Sequence, residues 1–548
     1  MLILFSLCAP LAAADADLAA ALVESGKQAL VIGDTEAALS SFRAAHDASD
    51  GSLATEIWVL RGRIAAGELD DAFERIVEIE ASGADVADLD YVIGAARYDA
   101  ARRAEATPGG DPGGPYQEAA AYLTEAIARD GDAYPDAWKM LAASSRWIGE
   151  TETASKAIDR ALQVERDAET LTLASKIRVA RGAALLGDEA TKGAGRRAIA
   201  QGVLDAEAAI AALGDEPTNA GALADVHLQH AVGLLFLERK DAAAGAYAAA
   251  IEWDPTQVDF GQVLQIYTDA DGSVAPFVDV LQRGAAAFES RWGAESESDA
   301  SLWWWLGYGE FSVERYGDAI AAFERSLAKF PGFANAHWHI ALSQYHLGAE
   351  HDLAAAASLA RYAEADPSGF AATVQANARN AFYPGAILGR LYGAGELVAA
   401  ADLAEVRLLA NESDPLLWND VGLMSRDVGE AIARGTIEAA ARTPKDYYER
   451  SWQAYQRALE LDRKPQYLND GAVLLHYYLD RDFDRAIAMY DEAETLAESM
   501  LAEGGLDEVE EEVVRIALRD ARNNRDLLEA KIEARRVEER GEAGSEGR

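Results

Sequence analysis

Residues 300–331 read ASLWWWLGYGEFSVERYGDAIAAFERSLAKFP, and this stretch decides the fold. Trp303, Leu306 and Gly307 are three and four positions apart, a spacing that puts them on one face of a helix. Ala319, Phe323 and Leu327 recur every fourth residue and form the stripe of a second helix, with a turn between the two. The small Gly307 and Ala319 let the helices approach closely, and Phe323 is placed to plug into the next pair. Pro331 closes the unit because proline cannot continue a helix. The same order of residues is written again from Ala334 to Asp366-Pro367.

Outward from this pair, the second-helix kernel is a small residue, a large apolar one four later and another small or apolar one three after that. It recurs as Ala38-Phe42-Ala45 and, 34 residues on, as Ala72-Ile76-Ile79. The third copy, Ala119-Leu123-Ala126, comes late because ATPGGDPGGP, residues 106–115, is a Gly/Pro insertion between the two helices of one repeat. Trp138, Leu141, Gly149, Ala154, Ile158 and Ala161 make a clear fourth copy. Residues 170–214 and 256–294 are alanine-rich, helical in pattern and poor in signature residues, and read as degenerate pairs. Between them Ala243, Tyr247, Ala250 and Asp254-Pro255 restore a full unit. A degenerate pair with its kernel near Ala400 closes at Asp414-Pro415. Trp418, Val421 and Gly422 open another first helix, whose partner Ser451-Tyr455-Ala458 is displaced by an insertion around 430–447. Ala486-Tyr490-Ala493 is the last kernel.

This pattern resembles the tetratricopeptide repeat family, whose unit is about 34 residues. Glu310 stands where the family prefers Tyr, and Ser326 where it prefers Ala. The resemblance implies an all-α, right-handed superhelical solenoid of antiparallel helix pairs, each unit burying its face on its neighbours. The expected organisation is a signal peptide at 1–14 and repeats at 15–168. Degenerate repeats follow at 169–294, with one good unit at 218–255, and then the well-formed pair at 295–367. The rest is further repeats at 368–505, a capping helix at 506–536 and a disordered tail at 537–548. The family's first helices line the concave side, and their inward positions carried onto this sequence are Ser301, Trp304, Tyr308 and Phe311, then Asn335, Trp338, Leu342 and Tyr345. The aromatics Trp304, Tyr308, Phe311, Trp338 and Tyr345 are therefore the candidate ligand contacts. The alternative is that Trp304 and Trp338 pack as wall. The family's carboxylate clamp looks for Lys and Asn where Trp304 and Tyr308 stand, which argues against a chaperone-tail receptor.

The chain has 548 residues, half of them hydrophobic; 50 Lys and Arg stand against 93 Asp and Glu, a formal charge of −43. Such a charge repels phosphate backbones and anionic lipid heads, so nucleic acid is excluded as the expected partner. It reads as a solvated acidic surface, or as a preference for cationic partners. MLILFSLCAPLAAA, residues 1–14, is too short for a membrane span and ends in small residues, so it reads as a cleavable signal peptide, without the basic residues expected after Met1. The alternative is an apolar N-terminal helix packed on the first repeat. Cleavage after Ala14 removes Cys8, the one cysteine, and with it any disulfide or thiolate chemistry. No phosphate loop, His-Glu-x-x-His, Gly-x-Ser-x-Gly or dinucleotide fingerprint occurs. His227 and His230 share a helical face but occupy core-facing positions, and His337 and His339, two apart, cannot share one. Neither a metal nor a cofactor is expected. The sequence thus leads to a non-catalytic, exported bacterial scaffold that binds a protein or peptide outside the cytoplasm. The alternative is a binder of an extended glycan, or an accessory subunit of a polysaccharide export or envelope assembly.

Overall fold

A computed structural model describes residues 8–293, 299–438 and 442–545. Among these the chain is helical with no strand, and consecutive helices pack side by side in pairs. It divides into two compact units, Met1–Asp259 with Asp279–Ser296, and Phe260–Val278 with Glu297–Arg548.

In the first unit the pairs are Cys8–Val31 with Thr35–Ala48, Leu53–Ala65 with Leu69–Ala81, Leu89–Ala106 with Gly113–Asp130, and Ala137–Trp147 with Thr151–Val164. Ala168–Leu185 with Lys192–Leu213 and Ala220–Phe236 with Lys240–Trp253 follow, and most of the helix Ala275–Trp292 also belongs to this unit. Each kernel read from the sequence lies in the core: Ala38, Phe42, Ala45, Ala72, Ile76, Ala119, Leu123, Ala154 and Ile158 are all buried. The Gly/Pro stretch falls between two helices of one pair, although the second helix already begins at Gly113. Trp138 is half-buried, its indole N–H donating to the Gly131 carbonyl at 3.0 Å. The first helices also bury a polar ladder. Arg61 lies 3.7 Å from Asp99 and 3.4 Å from Asp136, and the Tyr91 hydroxyl donates to Asp136 at 2.7 Å. The alanine-rich 170–214 region, read as a degenerate pair, is tightly packed. A Cβ added at Gly182 would stand 2.5 Å from Ile199 and 2.7 Å from the Gly195 carbonyl, so only glycine permits that helix separation. Residues 8–14 continue without a break into the helix that ends at Val31; residues 1–7 of the expected signal peptide lie outside the described residues.

In the second unit the well-formed repeats are the pairs Ala300–Ser312 with Tyr316–Lys329 and Ala336–Leu347 with Asp352–Ala365. Trp303, Leu306, Gly307, Ala319 and Phe323 are buried as the register requires, while Pro331 is exposed just beyond the helix that it terminates. A Cβ at Gly307 would sit 2.9 Å from the Phe323 ring, which is why glycine stands there. The positions that depart from the family pattern are used for polar ties. Ser326, fully buried, donates its hydroxyl to the Ala300 carbonyl at 2.8 Å and staples the two helices. Glu310 is buried and ion-paired with Arg315 at 3.3 Å. Buried Asp299 accepts the Trp303 indole N–H at 2.5 Å and pairs with Lys329 at 2.9 Å, joining the start of one helix to the end of the other.

Beyond the central repeats, Pro367–Gln375 precedes the pair Ala378–Ala394 with Leu397–Leu408, in which Ala400 is buried. Pro415–Ala433 then packs on Pro444–Leu461. There Gly422 meets Tyr455 as Gly307 meets Phe323, and the Ser451 hydroxyl donates to the Gly422 carbonyl at 2.6 Å. Trp418 is half-buried, and its indole N–H donates to the Glu412 carbonyl at 2.8 Å. Of the insertion expected near 430–447, residues 439–441 lie outside the described residues. Pro465–Val473 and Phe483–Glu503, with Ala486, Tyr490 and Ala493 buried, make the last pair. Glu508–Ser545 lies over it, burying Val514, Ala517, Ala521 and Leu528 along one stripe while its other faces are largely polar. That is the geometry of a solenoid cap, and its helix extends past residue 536 to Ser545, into the stretch expected to be a disordered tail.

Candidate functional site

The Ala300–Ser312 and Ala336–Leu347 helices carry the aromatics singled out in the sequence, and the structure separates them into two kinds. Trp304, Tyr308, Phe311 and Tyr345 are half-buried, whereas Trp338 is 4% exposed. Trp338 therefore belongs to the wall, presenting little of its ring to any ligand. Trp304 and Tyr308 lie parallel, centroids 5.9 Å apart, and the Trp304 indole N–H donates to the Asn335 side-chain oxygen at 3.3 Å. Tyr345 stands further along, with the Arg390 guanidinium 3.9 Å over its ring and Tyr383 edge-on at 5.3 Å.

The strip is held from behind by His339. Its ring stacks on Phe323 at 5.3 Å and meets Trp304, Tyr308 and Phe311 edge-on at 5.7 to 6.0 Å. Burial among rings disfavours the imidazolium and pulls His339 down to about 4, so it is neutral at physiological pH. The ring packs among these aromatics, two residues from His337 in the sequence. His227 is likewise held to about 4 by burial first and by His230 second.

A cleft of about 390 Å³ opens beside this strip. Phe311, Trp338, His339 and Leu342 form its apolar side, and Thr373, Asn377, Arg379, Asn380 and Tyr383 form the other. The polar side comes from the turn between Pro367–Gln375 and Ala378–Ala394. Asn377 caps the second helix, accepting from the Asn380 backbone N–H at 2.9 Å, and the Asn380 side-chain amide donates to the Thr373 carbonyl at 2.8 Å. Arg379 donates to the Tyr383 hydroxyl at 3.1 Å. These bonds fix the side chains and leave the Asn377 amide N–H, the Asn380 amide oxygen and the remaining Arg379 N–H groups without partners among the described residues. An aromatic floor with amide donors and acceptors along one edge can take an extended chain, anchoring a side chain in the cleft and pairing main-chain groups at the rim. Arg379 is the charged group in this lining, so the acidity of the whole chain is not concentrated here.

Sequence reasoning placed Phe311, Trp338 and Leu342 on this surface and missed its other side. The available signal was Asn377 and Asn380, three apart ahead of an apolar run, which is a helix-start pattern. Among the described residues no group of three or more His, Cys, Asp or Glu is arranged to hold a metal, and no helix is long and apolar enough to cross a membrane.

No family model matches the sequence, and no curated protein matches it. Among solved structures the chain is similar to one in the crystal structure of the APC/C hetero-tetramer Cut9–Hcn1, at 14% identity and a TM-score of 0.24. The match covers 91% of this chain and 96% of that one. It is also similar to yeast Tom70, at 12% identity and a TM-score of 0.21, over 94% of this chain and 99% of the other. Likenesses this distant leave the fold to rest on the chain's own geometry. That geometry is an all-α series of consecutive packed helix pairs, with glycine against ring at the repeat positions.

Proposed function

We propose that the protein is a non-catalytic scaffold that holds an extended segment of a partner protein in the groove of its second unit. The observation that carries this reading is the pairing of an aromatic floor, Phe311 with Tyr308 and Trp304 beside it, with a rim of pre-fixed amide and guanidinium groups from Asn377, Asn380 and Arg379. Rigid aromatics bury much area at low entropic cost. Side-chain amides that are already oriented lose little entropy when they pair with a peptide main chain. A glycan is the second reading, but Trp304 already gives one face to Tyr308 and an edge contact to His339, which leaves less open ring for stacking a sugar. The net charge of −43 acts at longer range and favours segments whose flanks are basic around an apolar anchor.

The test is affinity capture with the chain beginning at Asp15, identification of the retained protein by mass spectrometry, and titration of peptides that tile it. Tyr308→Ala and Arg379→Ala each weaken the tightest peptide by about tenfold or more. Unchanged affinity in both variants removes the groove from the account. We further place the protein outside the cytoplasm, on the strength of the apolar, small-residue-terminated segment 1–14.

A further inference from the structure

We infer that the first unit carries a separate site, independent of the aromatic groove, for a small organic anion with an apolar body. Its place is a cleft of about 480 Å³ on the first-helix side, within the size range of small-molecule pockets. Arg102, Lys139 and Lys176 line it from three successive first helices at a constant interval of 37 residues. Equal spacing on equivalent helices makes a ladder of cations, and Arg146, two turns after Lys139, adds a fourth.

In a chain with 93 acidic residues against 50 basic ones, this lining holds four cations against Glu105, Glu169 and Asp225. Each of those acids is already engaged. Glu105 accepts the Tyr116 hydroxyl at 2.7 Å. Glu169 lies 2.6 Å from Lys139 and 3.2 Å from Arg102, and Asp225 lies 2.7 Å from Lys176. Burial works to raise Glu169, but its bonds to Lys139 and Arg102 outweigh that and hold it below the usual carboxylate range, so it stays ionised and keeps both cations occupied. The Arg146 side chain forms no ion pair or hydrogen bond among the described residues, which leaves one guanidinium at the cleft for an incoming anion. The adjoining surface is apolar: Leu173, Leu213, Ala143 and the rings of Tyr98 and Tyr116 lie in the same lining, and Tyr116 stacks on Trp147 at 5.5 Å.

One unengaged cation beside a ring-sized apolar floor selects a single carboxylate or sulfonate attached to a hydrophobic body. It does not suit a polyanion, which needs a row of unpaired cations and meets repulsion from the rest of the chain.

The probe pair is 8-anilino-1-naphthalenesulfonate and N-phenyl-1-naphthylamine, which share the apolar body and differ in the anionic head. Fluorescence titration of the full chain is expected to show one saturable site for the sulfonate, with the amine at least about tenfold weaker, as the loss of a charge-assisted contact implies. Arg146 is exposed, so Arg146→Gln should melt with the parent while weakening the sulfonate about tenfold and leaving the amine unchanged. Arg146→Lys, which keeps the charge, should hold affinity within about threefold. No saturable sulfonate binding, equal affinity for the two probes, an unaltered Arg146→Gln, or an Arg146→Lys as weak as the Gln variant each overturns the assignment.

Discussion

Replacing Phe323 with alanine tests the repeat register at the point where most of it converges. The ring is fully buried in a cluster with Ala319, Ala336 and Ile340; its face lies against Gly307, and its aromatic neighbours include His339, stacked at 5.3 Å, and Trp304, edge-on at 6.2 Å. A phenyl group of this kind buries roughly 150 Å² or more, worth about 4 kcal/mol at about 25 cal/mol per Å². Gly307 has no side chain with which to fill the void, so a cavity term adds to the transfer term and the expected cost is about 3–5 kcal/mol. In a stacked array that cost falls on the neighbours that share the ring. Hydrogen exchange is the suitable assay, because global melting of a repeat array is not a single two-state event. Opening free energies should fall by about that amount in Ala300–Ser312, Tyr316–Lys329 and Ala336–Leu347, and stay unchanged in the first-unit helices such as Thr35–Ala48. A loss under about 1 kcal/mol, or an equal loss in both units, would refute the register.

Ala319→Arg forces a charged side chain into a fully buried position between paired helices and should cost several kcal/mol, with lost exchange protection centred on residues 300–367. Acid sensitivity follows from His339. Held to about 4 against an ordinary 6.5, it binds fewer protons folded than unfolded between those values. The stability that it contributes is therefore complete above pH 6.5 and lost as pH falls towards 4. His339→Phe should flatten urea midpoints measured across that window, by up to about 1.4 kcal/mol per pH unit, and an unchanged slope would show that the imidazole titrates freely. The intact mass of the protein recovered from its native host should begin at Asp15; a mass that retains Met1 would overturn the export reading.

How far the sequence could be read depended on whether a residue's role was set by its neighbours along the helix or by those across it. The i, i+3, i+4 pattern of Trp303, Leu306 and Gly307, and the kernels at Ala38, Ala72, Ala119 and Ala486, are local consequences of helix geometry and were legible without a structure. Glu310 and Ser326 showed in the sequence only as departures from the family pattern, because the Arg315 pair and the Ala300 carbonyl that they serve depend on how the helix ends are oriented. Trp338 and Trp304 occupy equivalent repeat positions, yet one is buried and the other half-buried. What differs is the following element: Trp338 packs into the buried cluster that includes Phe370 and Tyr383, supplied by Pro367–Gln375 and Ala378–Ala394. The cation ladder of the first unit was present in the sequence as a 37-residue interval, hidden among 93 acids.

The most direct measurement of the binding groove is a paired one on Trp304→Ala and Trp338→Ala, each assayed for melting temperature and for retention of the captured partner. Half-buried Trp304 supplies contact surface, so its loss should weaken retention by about tenfold or more at a stability cost of about 1–2 kcal/mol. Buried Trp338 is wall, so its loss should cost about 3–5 kcal/mol and lower the melting temperature markedly. Retention unaffected by Trp304→Ala, with both variants differing from the parent only in melting, would contradict the account and place the partner elsewhere on the chain.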